Sequence, residues 1–104
     1  MTKTVFLKIH KMQGKQVLTC CDSELLGACF TEGKCCLRVT ETWYKGQEIS
    51  IEKAKDIIKE NINKVDSFQV VGENIINFLD KCGVMGKKGV KRVQGVPHLI
   101  FIKM

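Results

Sequence analysis

The carboxyl-terminal stretch Lys81–Met104, KCGVMGKKGVKRVQGVPHLIFIKM, holds the most apolar run of the chain and its excess of positive charge. The run Leu99–Ile102 is apolar on both faces of an extended chain, which is typical of a central strand covered on both sides. Before it, Gly95–Val96–Pro97 predicts a turn and Lys91–Gln94 a neighbouring strand. We therefore expect the last strand over His98–Lys103, in the middle of a sheet.

The same stretch carries the whole net charge of the protein. It contains six basic residues and no acidic one, whereas residues 1–80 contain eleven of each sign, so the formal charge of +6 lies in this stretch. The basic residues are Lys81, Lys87, Lys88, Lys91, Arg92 and Lys103. Glycines at 86 and 89 would let a loop bring such side chains close to phosphates and displace counterions.

A second group of basic residues lies near the amino terminus, where Lys3, Lys8, Lys11 and Lys15 occur without an acidic residue. If the first and last strands are neighbours, the two groups form one positive patch, which would steer a polyanion. We predict RNA or a ribosomal particle as the partner. The sequence contains no named RNA-binding motif, so contacts to the RNA backbone are favoured over contacts to bases. The predicted contacts are Lys87, Lys88, Lys91 and Arg92, with Lys8, Lys11 and Lys15 as secondary ones. His98 is a further candidate for contact with phosphate, and the alternative, which we favour, is that it anchors the turn by a hydrogen bond. A solvated lysine-rich surface without a specific partner is the alternative.

The rest of the chain predicts an α+β fold, a single small domain over residues 1–104. Alternating apolar positions indicate a mixed sheet of about five strands with two main helices packed on it. Besides the two carboxyl-terminal strands, we expect a turn at Gln13–Lys15, a helical turn over Asp22–Gly27, a turn at Glu32–Lys34, and strands over Thr4–His10, Gln16–Cys21 and Cys35–Thr40.

Helical spacing of apolar residues predicts the two helices. After the capping residue Ser50, the first covers residues 51–64, with Ile51, Ala54, Ile58 and Ile62 on one face. The second ends at Gly83, and its buried stripe consists of Val71, Ile75, Phe78, Leu79 and Cys82.

Composition limits the cellular context. The 44% hydrophobic and 27% charged residues are ordinary for a globular protein. No apolar run approaches the ~20 residues needed to span a bilayer, and lysines interrupt the amino terminus where a signal peptide would be apolar. We expect a cytoplasmic protein without a membrane partner.

The six cysteines, at 20, 21, 29, 35, 36 and 82, include two adjacent pairs and no CxxC motif. Structural zinc sites usually need paired ligands two to four residues apart, so we expect no metal and no cofactor. A thiol enzyme or metal carrier built on Cys21, Asp22 and His98 is a further alternative. We nevertheless predict no catalytic residue and no enzymatic activity.

Two adjacent aromatic residues, Trp43 and Tyr44, lie in the connection before the first helix. We expect them to be buried against that helix, since large aromatic side chains usually contribute to a core. The alternative is an exposed anchor through which the protein binds an acidic protein partner.

Five short motifs follow one another over nearly the whole chain: CDSELLG at 21–27, FTEG at 30–33, LRV at 37–39, WYKG at 43–46 and GVPH at 95–98. In this order they resemble an archaeal family catalogued as domain of unknown function 424. The resemblance implies a cytoplasmic archaeal protein without an assigned reaction, and it favours a partner in translation. The sequence thus predicts a non-enzymatic module that binds RNA or a ribonucleoprotein, with a protein-interaction module as the first alternative.

Overall fold

The fold is taken from a computed structural model, which describes residues 3–102. Six strands of this part of the chain form one mixed sheet in the order β5-β1-β2-β6-β8-β7, and β3 and β4 form a separate two-stranded ribbon. The strands are β1 (Thr4–Met12), β2 (Lys15–Asp22), β3 (Cys29–Glu32), β4 (Cys35–Arg38), β5 (Gln47–Ser50), β6 (Ser67–Val71), β7 (Lys91–Val93) and β8 (Val96–Ile102). The helices are α1 (Glu41–Tyr44), α2 (Ile51–Asn61) and α3 (Glu73–Lys81). The predicted α+β class with a mixed sheet is confirmed.

The predicted amino-terminal hairpin is present. Gln13 and Gly14 join β1 to β2 with positive φ angles of 49° and 80°, the combination that a two-residue type I′ turn needs. β2 then pairs in parallel with β6, so the ribbon, α1, β5 and α2 all lie in the crossover between these two strands. β6 pairs antiparallel with β8.

One face of the sheet packs against α2 and α3. Alternate sheet residues such as Val5, Leu18 and Phe68 meet Ile58 of α2 and Ile75 of α3 in the larger hydrophobic cluster. The helix predicted over residues 51–64 is confirmed, although it ends at Asn61, and the Ser50 hydroxyl accepts a hydrogen bond from the Lys53 amide at 3.2 Å.

The other face of the sheet is covered by the β3–β4 ribbon and α1. A smaller cluster joins Cys21 and Val71 of the sheet to Leu37, Val39 and Tyr44. The expectation that the two aromatic residues pack on the first long helix is wrong, because α2 lies across the opposite face. No helix among residues 3–102 is long and apolar enough to cross a membrane.

The largest error of the sequence analysis concerns β6. Val71 was expected on a helix, but Ser67–Val71 is an inner strand of the sheet. Gly72, with φ of 124°, separates the strand from α3, and no L-residue follows a helical path through that angle. β3, β5 and α1 were also not predicted, and each of them is only four residues long.

The last strand begins earlier than predicted and is less covered. β8 starts at Val96, inside the expected turn, and Lys103 lies outside the described residues. Ile100, Phe101 and Ile102 are 55%, 45% and 66% exposed, so the expectation of a strand buried on both faces is wrong. The exposure of these side chains is not evident from the sequence, because it depends on how far β7 extends along β8.

The corner between β6 and α3 is held by a carboxylate from β2. Buried Asp22 accepts hydrogen bonds from the amides of Asn74 at 2.9 Å and Ile75 at 3.0 Å, at the amino end of α3. Burial raises the pKa of the Asp22 carboxyl, and the two amide hydrogen bonds act in the opposite direction. Asp22 was predicted to begin its own short helical turn, but its side chain makes no capping hydrogen bond there.

Replacing this carboxylate should destabilise the protein. We expect Asp22→Ala to lower the free energy of unfolding by about 2 kcal/mol, since it removes the cap of α3 and leaves two amides without acceptors. Asp80→Ala, at an exposed acidic position of the same helix, should change it by less than about 0.5 kcal/mol. Urea unfolding measures both. Equal midpoints for the two variants would contradict the role of Asp22.

Candidate functional site

The carboxyl-terminal basic residues are only partly available. Lys87, Lys88 and Lys91 are exposed, and among residues 3–102 the ion pairs are Lys55–Asp56 and Arg92–Glu73. The Arg92 guanidinium donates to the Glu73 carboxylate at 2.9 Å, which holds the pKa of that carboxyl below its usual range. Arg92, predicted as a main phosphate contact, is therefore already in an ion pair, whereas none of the three lysines forms one within residues 3–102.

The two predicted basic groups lie apart. β1 and β8 are separated by β2 and β6, a distance of about 14 Å at the usual strand spacing. The pairings place Lys91 level with Phe6 of β1, and Lys11 is about 17 Å further along that strand. The expectation that the first and last strands are neighbours is wrong.

The amino-terminal lysines occupy two different positions. Lys11 and Lys15 lie at the tip of the β1–β2 hairpin. Lys8 lies nearer the centre of the sheet and donates to the carbonyl oxygen of Thr42 at 3.0 Å. These side chains do not extend the surface formed by Lys87, Lys88 and Lys91.

His98 lies between β6 and β7, opposite Val71 on one side and Lys91 on the other. It is half-buried, and burial lowers the pKa of its imidazole, with a smaller effect in the same direction from the Lys91 charge. His98 is therefore mainly neutral at pH 7, so it does not add a positive charge to this surface.

Trp43 is held in a polar network on the ribbon side of the sheet. Its indole ring stacks on His10 with centroids 4.0 Å apart, and its Nε1 donates to Gln69 at 2.8 Å. Its carbonyl oxygen accepts from the Thr19 hydroxyl at 2.9 Å. Tyr44 is only 4% exposed, so a protein partner could reach Trp43 but not Tyr44 without rearrangement.

The outer edge of β8 is open where the strand is most exposed. β7 pairs only with Val96, Pro97 and His98. The Pro97 carbonyl accepts from the Gly72 amide of the β6 side, and peptide groups alternate in direction along an antiparallel strand. The peptide groups of Ile100 and Ile102 therefore face away from β6, towards an edge that no strand of the described residues covers.

Two hollows flank this open edge, one on each face of the sheet. The larger, of about 270 Å³, is apolar and lies between the 82–90 loop and β8, with Met85, Lys88 and Phe101 in its wall. The smaller, of about 110 Å³, includes Lys91 and Ile100. Side chains of an added strand would alternate between these two hollows.

The thiol site considered from the sequence is not assembled. Cys21 is buried, which raises the pKa of its thiol to about 12, so it is protonated at neutral pH. Asp22 is engaged at α3, and His98 lies two strands away across Val71, roughly 10 Å from Cys21.

Another pair of cysteines is close together and exposed. Cys29 and Cys36 of the β3–β4 ribbon have Sγ atoms 4.0 Å apart. Arg38 pairs with Cys29 across the ribbon and lies two residues from Cys36 on the same face. Hydrogen bonding to Cys36 raises the pKa of the Arg38 guanidinium. This pair was not predicted, because the two cysteines meet through the pairing of β3 with β4 and not through their spacing along the chain.

The family model described as "Protein of unknown function (DUF424)" matches residues 10–104. The chain belongs to this family. The resemblance identified from the short motifs is thereby confirmed. A comparison with curated proteins finds no match to this DUF424 chain.

The DUF424 chain is also similar to a protein from Methanopyrus kandleri, whose structure is described as "Crystal structure of an uncharacterized conserved protein". The identity is 23% and the TM-score 0.79, over 97% of this chain and 94% of the other. This likeness shows a shared fold and assigns no activity.

The position of His98 predicts a pH effect. Its folded-state pKa should lie below the ~6.5 of an exposed histidine, so the unfolded chain binds more protons as the pH falls below 6.5, and stability is lost. Lys91→Gln should raise the pKa of His98, whereas Lys91→Arg, which keeps the charge, should not. NMR titration of the imidazole measures these values. A pKa at or above 6.5 in the unaltered protein would contradict this environment.

Proposed function

We propose that this chain is a cytoplasmic protein-interaction module that binds an acidic, extended segment of a partner protein, adding it as a strand to the open edge of β8. One observation carries the proposal. The outward peptide groups of Ile100 and Ile102 have no strand partner within residues 3–102, at a point where three neighbouring apolar side chains are exposed. Edges of this kind are templates for pairing with another chain.

Strand addition would use both the backbone and the side chains of this edge. Each hydrogen bond formed contributes on the order of 1 kcal/mol after the loss of bonds to water. Completing the burial of half-exposed Phe101 and Ile102 would contribute about 1 kcal/mol each. The apolar hollow beside Phe101 supplies a place for one side chain of the added strand.

Charge determines which strand fits. Lys88 and Lys91 lie in the walls of the two hollows, and neither forms an ion pair within residues 3–102. A second copy of this chain would bring the same lysines against each other, which costs free energy. A segment with alternating acidic and apolar residues places all its carboxylates on one face of the sheet. With its apolar side chains in the hollow beside Phe101, its carboxylates lie on the opposite face, near the Lys91 ammonium group.

A peptide of alternating valine and glutamate tests this proposal. We expect its addition to shift the amide NMR signals of Ile100 and Ile102 and to slow their hydrogen exchange. Ile102→Pro should weaken binding about tenfold, because it removes one outward donor at an edge where proline is tolerated. Ile102→Val keeps the donor and should bind the peptide like the unaltered protein.

Lysine variants test the choice of an acidic partner. Lys91→Gln should weaken binding of the peptide, whereas Lys53→Gln, at an exposed position of α2, should leave it unchanged. A peptide with lysine in place of glutamate should not bind. Equal binding of the two peptides, or equal affinity of Ile102→Pro and Ile102→Val, would refute strand addition of an acidic segment.

RNA or a ribonucleoprotein, including one in translation, is the second candidate partner. The observation that favours it is the group of three exposed lysines that form no ion pair within residues 3–102, Lys87, Lys88 and Lys91. Since Arg92 binds Glu73, and Lys8, Lys11 and Lys15 lie elsewhere, these three lysines are the contacts retained from the predicted set. Backbone phosphates, rather than bases, would be recognised.

Salt dependence tests RNA binding separately. For single-stranded RNA, replacing all three lysines by glutamine should reduce the slope of log K against log salt by about 2, at 0.7 for each phosphate. Replacing Lys53, Lys59 and Lys64, which changes the net charge equally, should have little effect on that slope. Ile102→Pro should not affect RNA binding. Identical slopes for the two triple variants would exclude these lysines as the RNA contacts.

A further inference from the structure

The β3–β4 ribbon presents two thiols on one of its faces. Cys29 pairs with Arg38, and Thr31 pairs with Cys36, so the four side chains lie on the same side of the ribbon. Cys29 and Cys36 are exposed, and their Sγ atoms are 4.0 Å apart. The strand pairing holds them together, although they are seven residues apart in sequence.

The distance between the two sulfurs suits a bridging metal ion. It is about twice the ~2.05 Å length of a disulfide bond, so a disulfide would require the side chains to move. An ion bound to both sulfurs at ~2.3 Å, a usual metal–thiolate length, holds them about 4.0 Å apart at an S–metal–S angle of about 120° and about 4.6 Å apart when linear, so a small opening of the pair suffices for a two-coordinate ion. The side chains are therefore close to the separation that such a site needs.

The ligand set limits which ion this site would hold. Cys35 lies on the opposite face of the ribbon, and no group of three or more His, Cys, Asp or Glu side chains in residues 3–102 is arranged to hold a metal. Structural zinc sites need four ligands, whereas two thiolates form a soft site of low coordination number. Thiolates also select Cu(I) over harder ions.

Charge favours a monovalent ion at the same place. Two thiolates and one Cu(I) carry a net charge of −1, and Arg38 lies on the same face of the ribbon, opposite Cys29 and two residues from Cys36. Arg38 thereby neutralises a monovalent complex, whereas a divalent complex is already neutral and would leave the arginine charge unbalanced.

We propose that Cys29 and Cys36 form a two-thiolate binding site for Cu(I), with Arg38 as the residue that balances its charge. Binding forms two Cu–S bonds and releases the two thiol protons to solvent, without any change of oxidation state. Cys20 and Cys21 are fully buried and take no part. The site lies on the ribbon and does not depend on the proposed binding of a strand at β8.

Competition with a chromogenic Cu(I) chelator, on reduced protein kept free of oxygen, tests the proposal. We expect the protein to remove one equivalent of Cu(I) from the chelator. Cys29→Ser and Cys36→Ser should each lower the affinity at least about 100-fold, since the loss of an outer-shell partner alone costs 10–100-fold. Cys35→Ser and Cys82→Ser, at exposed positions, are matched controls and should retain the affinity.

The role of Arg38 has its own readout. Arg38→Gln should weaken Cu(I) binding about tenfold, and Arg38→Lys, which keeps the charge, should restore most of the affinity. X-ray absorption at the copper edge should show two sulfur neighbours. The proposal is overturned if no Cu(I) is removed, if Cys35→Ser or Cys82→Ser has the same effect as Cys36→Ser, if Zn²⁺ binds as tightly, or if half an equivalent binds with formation of a dimer.

Discussion

The contact between Asp22 and the start of α3 fixes the relation of the sheet to its helices. Asp22 ends β2, while Gly72 ends the neighbouring β6, and a Cβ atom on Gly72 would collide with the Asp22 carboxyl. The carboxylate therefore needs a glycine beside it in order to reach the amides of Asn74 and Ile75. The direction of α3 follows from this corner, and α3 in turn brings Glu73 to Arg92 of β7. The position of the short strand that leaves β8 partly uncovered thus depends on a buried carboxylate three strands away.

Local signals in the sequence were sufficient for part of this fold. The hairpin turn at Gln13–Gly14 and the α2 helix after Ser50 depend on residues close together in the chain, and both were predicted. β6 was missed because Val71, Ile75 and Leu79 have helical spacing, whereas the strand is defined by parallel pairing with β2, about fifty residues away. A short apolar run does not distinguish strand from helix by period alone. Gly72, whose φ of 124° separates β6 from α3, marks the boundary.

Prediction was less successful for the basic surface, the exposed edge of β8 and the cysteine pair, because each depends on contacts between segments that are distant in the sequence. The sequence identified Lys87, Lys88 and Lys91, but it could not show that Arg92 reaches Glu73 or that two strands separate β1 from β8. The apolar run of β8 predicted burial, whereas its exposure follows from the short length of β7. The sulfurs of Cys29 and Cys36 meet through the register of a ribbon that includes the unpredicted β3. In each case the sequence shows the type of side chain but not which residues lie next to it in the fold.

The composition of the open edge favours a partner over simple protection from aggregation. Lysines near an exposed strand are a common means by which proteins prevent edge-to-edge pairing. Protection alone would be served as well by polar side chains on the strand itself, yet Ile100, Phe101 and Ile102 remain apolar and exposed, at the cost of unfavourable contact with water. Lysine side chains around an apolar strand repel a second copy of the chain and attract a strand of opposite charge. A bound acidic segment with an apolar face accounts for both the exposed apolar side chains of β8 and the lysines around them.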